Sequence, residues 1–213
     1  MSLPKIPRFP VYLFDVDGTL VDSAPDICGA IQTVIQQRGR LDVTDEFLRG
    51  YIGRHLDDTF ADLGFDPSEF GQLLEDYRAV YPLRGHSSTK LYPGVVEMLT
   101  GLNHGCRKST ATTKHTRTVL SVFEKFELLP YFDHVQGTDG FPAKPAPDVI
   151  LKNLEVLQVK PEDCLMIGDA WTDMEAARAA GVPVCAVTYG YGAREDLAKY
   201  RPDFWLEDPR QLL

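Results

Sequence analysis

Val11-Tyr12-Leu13-Phe14-Asp15-Val16-Asp17-Gly18 is four apolar residues that stop abruptly at two carboxylates and a glycine. A short, unbroken apolar run reads as a strand buried on both faces, and acids at its carboxyl end must face something other than a hydrocarbon core. Three further runs share this character: residues 109–112, residues 164–167 with Gly168-Asp169 after them, and residues 183–187. Helical periodicity separates them, with Val119, Leu120, Phe123 and Phe126 on one apolar face and Val149, Ile150, Leu154 and Leu157 on another. Strands alternating with such helices predict an α/β fold, a Rossmann-like parallel sheet covered on both sides. Arg107, Lys108 and Ser109 fit poorly, because a central parallel strand is expected to be almost continuously apolar.

From Asp22 to about Ser88 the strand signal vanishes. Ile27, Ile31, Val34 and Ile35, and later Phe70, Leu73, Leu74, Tyr77 and Tyr81, recur at helical spacing. The segment reads as an all-helical insertion after the first strand, with Ser23 as an N-cap and Pro25 in the first turn. Tyr92-Pro93-Gly94 marks the return to α/β alternation, so the expected division is a core of residues 1–21 and 88–213 and a helical cap of residues 22–87.

Composition excludes whole classes of function. Twenty-two Lys and Arg against 31 Asp and Glu give a net charge of −9, which opposes general attraction to nucleic acid or to an anionic membrane. With 44% hydrophobic and 25% charged residues the chain is not disordered. Cys28, Cys106, Cys164 and Cys185 lie far apart without a CxxC pair, so neither structural zinc nor a disulfide framework is expected. His55, His86, His104, His115 and His134 lack metal-ligand spacing and are expected at surface or capping positions. The first residues are too poor in apolar side chains for a signal peptide, and no run approaches a span of about 20 residues. The expectation is a cytoplasmic monomer or homodimer acting on a small molecule, with no nucleic-acid or membrane partner.

Open α/β sheets bind ligands beyond the carboxyl ends of their strands, and four such ends here carry polar groups: Asp15 and Asp17, Thr112, Lys144, and Asp169 with Asp173. Carboxylates two residues apart on a strand are expected to point the same way. So many like charges repel, and a hard divalent cation is the simplest resolution; donors that are all oxygen favour Mg2+. A magnesium ion among carboxylates, a hydroxyl and an ammonium suits phosphoryl transfer, whose three phosphate oxygens must be neutralised and held in line. Lys144 can supply positive charge, Thr112 a hydrogen bond, and Gly18 close approach of backbone N–H groups to a phosphate.

Asp15-Val16-Asp17-Gly18-Thr19-Leu20-Val21-Asp22-Ser23, Thr112-Thr113-Lys114, Lys144-Pro145-Ala146-Pro147 and Gly168-Asp169 with Asp173 resemble the four ordered motifs of the haloacid dehalogenase superfamily, over nearly the whole chain. Thr188-Tyr189-Gly190-Tyr191-Gly192 and Pro202-Asp203-Phe204-Trp205 further resemble its phosphoglycolate phosphatase-like branch. The resemblance implies that Asp15 is the nucleophile and that Asp17 protonates the leaving oxygen and then activates water. It implies Mg2+ on Asp15, the Asp17 carbonyl, Asp169 and Asp173, with Thr112 and Lys144 gripping the phosphoryl oxygens. Gly18, Thr113 and Lys114 would contact substrate, and the cap, closing as a lid on hinges near residues 21–22 and 88–91, would add Arg54. The second motif of this branch usually reads Thr-Asn-Lys, and Thr113 replaces the Asn. An acid at position 17 favours C–O–P chemistry over dehalogenation. Phosphoglycolate is the first expectation for substrate, followed by sugar phosphates and nucleotides, with a phosphomutase and a non-catalytic phospho-acceptor or scaffold as other classes.

Overall fold

The structure, a computed structural model, describes residues 6–40, 42–103 and 105–213. Its first strand is β1 (Val11–Phe14), buried throughout. β2 (Val21–Asp22) and β3 (Lys90–Leu91) pair antiparallel as a short ribbon, Val21 opposite Leu91. Between them run α1 (Ala24–Gln36), α2 (Asp45–Arg49), α3 (Leu56–Asp62) and α4 (Phe70–Val80). Then follow α5 (Val95–Leu102), β4 (Arg107–Thr110), α6 (Thr116–Lys125) and α7 (Asp148–Leu157). The chain ends with β5 (Cys164–Gly168), α8 (Trp171–Ala179), β6 (Val184–Val187), α9 (Arg194–Leu197) and β7 (Phe204–Leu206).

The main sheet has the order β4-β1-β5-β6-β7 and is parallel in every pair. Period-two alternation sends Tyr12, Phe14, Leu165 and Ile167 into one apolar layer with Leu99 and Phe123, while Val11, Leu13 and Met166 enter the other with Ile150 and Met174. Each such side chain stabilises the fold by roughly 1.5–3 kcal/mol. The helices between β2 and β3 have an apolar cluster of their own, built on Ile31, Ile35, Leu48, Phe60 and Leu73. The fold is the expected α/β sheet, with a helical segment inserted after the first strand.

Four expectations need correction. The polar strand, expected over 107–112, ends at Thr110, and it is an edge strand rather than a central one. Polar side chains are tolerated there because partners exist: the Arg107 guanidinium donates to the Leu157 carbonyl at 2.7 Å, and the Ser109 hydroxyl donates to buried Asn153 at 2.5 Å. Ser23 precedes α1 but makes no side-chain cap; the Tyr191 hydroxyl accepts the Ser23 and Ala24 N–H groups at 2.8 and 2.9 Å. Leu120 is exposed despite its apolar spacing. His86 is neither a surface nor a capping residue: it is buried, with its Nε2 3.0 Å from the Ser121 hydroxyl. His55 and His115 are exposed, His134 is half-buried, and His104 lies outside the described residues.

Candidate active site

β4, β1 and β5 are consecutive in the sheet, so the loops leaving their carboxyl ends converge on one edge. Asp15 follows β1 directly and its N–H donates to the Ile167 carbonyl at 2.9 Å. Asp169 follows β5, and Asp173 stands in the first turn of α8, accepting the Ala170 N–H at 2.9 Å. One oxygen from each of these three buried carboxylates lies within 4.8 Å of the other two. Lys144, just before α7 and joined to Pro145 by a cis peptide, puts its Nζ 3.0 Å from Asp15 Oδ1 and pairs with Asp173 as well. Apart from that ion pair, Asp15 Oδ1 has no hydrogen-bond partner among the described residues.

Three acids share one ammonium, and the electrostatics register the excess. Burial and then the neighbouring Asp15 and Asp173 push Asp169 well above the usual carboxylate range. Asp173 is pushed up by burial as well, against the pull of Lys144. Burial opposes the charge on Lys144, but Asp15 and Asp173 outweigh it and hold the ammonium above the ordinary lysine range. The Asp169 carboxylate is fixed by the Thr19 hydroxyl at 3.1 Å and the Tyr191 N–H at 2.8 Å. Gly18, at φ +85°, passes so close that a Cβ there would lie 2.1 Å from Asp169 Oδ2. A buried donor set of oxygens only, three carboxylates against one ammonium, fits a hard divalent cation.

Asp17 goes elsewhere. Instead of pointing with Asp15, its carboxylate accepts from the Ser23 hydroxyl at 2.5 Å and lies 2.9 Å from Lys114 Nζ. The chain turns away from strand geometry after Phe14, so the period-two expectation for this pair does not hold. Asp17 and Lys114 border a cleft of about 790 Å³ between the helical segment and the sheet. Thr113 and Arg54 also line it, Arg54 exposed and with its guanidinium 5.2 Å from the Tyr51 ring. Thr112 is buried at the end of the β4 loop, where its hydroxyl accepts the Lys114 N–H at 3.3 Å and its carbonyl accepts the Thr138 hydroxyl at 2.8 Å. The predicted residues thus divide between an acidic floor of Asp15, Lys144, Asp169 and Asp173 and a cleft wall of Asp17, Thr113, Lys114 and Arg54.

Sequence reasoning passed over Thr19, Asp26 and Tyr81. Thr19 read as part of a motif without a role of its own. Asp26, fully buried in α1, accepts the Ser88 N–H at 3.0 Å and the Thr89 hydroxyl at 2.7 Å, tying the start of the insertion to its exit. An acid on the apolar side of an amphipathic helix was the available signal. Tyr81 read as one more apolar position, and nothing local marked its hydroxyl as a partner for Lys114.

The family described as haloacid dehalogenase-like hydrolase matches residues 12–187. Phosphoglycolate phosphatase 1 of Pseudomonas aeruginosa is 33% identical over 219 aligned residues, covering 98% of this chain and 79% of the relative. The phosphoglycolate phosphatase of Vibrio parahaemolyticus is 35% identical over 94% of this chain and 92% of its own length. Among solved structures, a haloacid dehalogenase-like family hydrolase from Streptococcus pneumoniae superposes with a TM-score of 0.89 at 30% identity, covering 96% of both chains.

Proposed function

The chain belongs to the haloacid dehalogenase-like hydrolases and is a phosphatase of that family; from that premise we propose that it hydrolyses a small phosphate monoester through an aspartyl phosphate on Asp15. The observation that carries the reading is Asp15 itself: a buried carboxylate at a strand end, grouped with Asp169 and Asp173, whose Oδ1 is met by the Lys144 ammonium. Magnesium is the proposed cofactor, held by Asp15, Asp169, Asp173 and the Asp17 carbonyl. When bound it neutralises the phosphate oxygens that would otherwise repel the nucleophile.

In the first half-reaction an Asp15 oxygen forms a bond to phosphorus, the bond to the leaving oxygen breaks, and Asp17 gives that oxygen its proton. In the second, water attacks the phosphorus, Asp17 takes a proton back, and Asp15 leaves as a carboxylate with release of phosphate. Lys144 and Thr112 bind phosphoryl oxygens through the ammonium and the hydroxyl. Gly18 brings backbone N–H groups to the phosphate, and Thr113 and Arg54 meet the rest of the substrate. Residues 22–87 serve as the cap that excludes bulk water from the intermediate.

Two named relatives make 2-phosphoglycolate the first substrate to test. The purified protein with magnesium is assayed for phosphate release from a panel of carboxylate, sugar and nucleoside monophosphates, and phosphoenzyme is trapped with labelled substrate and mapped. Release from 2-phosphoglycolate with the label on Asp15 is expected. A flat panel, or a label on another residue, defeats the proposal.

A further inference from the structure

Both oxygens of the Asp17 carboxylate are approached by groups bound to the helical segment. Oδ1 accepts from the hydroxyl of Ser23, where that segment begins, and Oδ2 lies 2.9 Å from Lys114 Nζ. Lys114 belongs to the sheet side, yet its ammonium is 3.2 Å from the Tyr81 hydroxyl and 4.7 Å from the centre of the Tyr81 ring. Tyr81 follows α4 directly and is 4% exposed. Its ring stacks on Tyr77 at 5.4 Å and meets His86 edge-on at 5.6 Å.

A lysine ammonium on a four-carbon stem has no direction of its own; its partners choose one. One carboxylate already balances the charge of Lys114, whose side chain is 7% exposed. The tyrosine therefore contributes aim rather than neutrality, through a hydrogen bond and the ring face. We infer that Tyr81 and Lys114 are positioning residues for Asp17, so that the packing of the helical segment aims the carboxylate at the leaving oxygen. The inference rests on Asp17 as the acid–base group and adds what orients it. Lys114 then acts through Asp17 rather than as a ligand of the substrate, and Tyr81 acts through Lys114.

The test compares two esters of similar size, p-nitrophenyl phosphate and phenyl phosphate, of which only the second leaves with an oxygen that strongly needs a proton. Asp17→Asn is the reference and should slow the phenyl ester far more than the nitrophenyl ester. Tyr81→Phe removes one hydroxyl and Lys114→Met removes the ammonium while keeping its stem. Each should lower kcat for phenyl phosphate about tenfold or more beyond its effect on the nitrophenyl ester, the size expected for one lost hydrogen bond to a charged group. KM should stay within about twofold, since no ground-state contact is lost. Adding Tyr81→Phe to Lys114→Met should change nothing further. Equal losses on both esters, or a raised KM with the ester ratio unchanged, overturn the inference while Asp17→Asn still discriminates. An Asp17→Asn variant that does not discriminate overturns the inference and the acid–base reading together. Should Lys114→Met fail to fold by circular dichroism, Tyr81→Phe decides alone.

Discussion

The floor and the wall of the site are built on opposite electrostatic terms. On the floor, Asp15, Asp169 and Asp173 crowd around a single ammonium, all of them buried, two at the ends of neighbouring strands and the third in the first turn of α8. On the wall, Asp17 faces Lys114 one to one, and the pair is braced by Tyr81 and Ser23 from the helical segment. The floor is unbalanced and therefore asks for a cation. The wall is balanced within itself, and the helical segment contributes to it through Ser23 and Tyr81. Charge neutralisation and geometric aim are thus assigned to different parts of the chain.

The sharpest way to break this contrast is at the floor. Asp15→Asn should leave no turnover and no trapped phosphoenzyme, and excess chelator should do the same to the unaltered protein. Calcium should inhibit as well, because its larger and looser coordination lets Asp15 bind through both oxygens. Residual activity in chelator, measured by phosphate release, would show that the floor does not need its cation. At the wall, Asp17→Asn should slow both half-reactions by about 10²–10⁴-fold while substrate binding persists. Single-turnover kinetics on the trapped intermediate reads this directly, and a loss confined to binding would contradict it.

Arg54 sits farther out, exposed on the cleft rim. Arg54→Ala should reduce kcat/KM for 2-phosphoglycolate about tenfold while barely altering p-nitrophenyl phosphate, which has no carboxylate to be met. Equal losses on the two esters would make Arg54 structural. The smallest effect concerns stability without metal. Asp169 and Asp173 bind protons more tightly folded than unfolded, Asp173 with its pKa pushed up to about 6. Their contribution is therefore fully present below the ordinary carboxylate range and is lost as pH rises through about 6 and beyond. Metal-free protein should melt lower at pH 8 than at pH 5.5, magnesium should restore it, and Asp169→Asn should flatten the dependence. The expected scale is about 2–4 °C per kcal/mol for a chain of this length. A metal-free melting temperature that rises with pH would refute the picture of repelling carboxylates.

Legibility in the sequence followed the range of the forces involved. Lys144, expected at a strand end, follows no strand and was readable only in company with the other motifs. Asp15 and Asp169 were readable because a charged residue at the end of an apolar run is costly wherever it goes. The buried strands β1 and β5 were readable for the same reason, whereas β7 and the ribbon of β2 and β3, two or three residues each, carry too little pattern. The polar edge strand β4 was misjudged because its partners, Asn153 and the Leu157 carbonyl, lie more than forty residues away. His86 and the missing cap at Ser23 were misread for a similar cause: the Ser121 hydroxyl and Tyr191 that satisfy these groups are brought in by packing.

What the sequence alone determined is the alternation of strand and helix, the helical segment after the first strand and the residue types at the strand ends, because all of these are local patterns of polarity. Tertiary structure decided the rest. The pairing of β1 with β5 sets their carboxyl ends side by side, and that adjacency gathers Asp15 with Asp169 and, from the first turn of α8, Asp173 within 4.8 Å. The turn of the chain out of strand geometry after Phe14 parts Asp17 from Asp15, and the docking of the helical segment brings Ser23 and Tyr81 onto the Asp17–Lys114 pair. Strand order and docking are selected by burying apolar faces across the whole chain, a sum over distant residues that no stretch of neighbours contains.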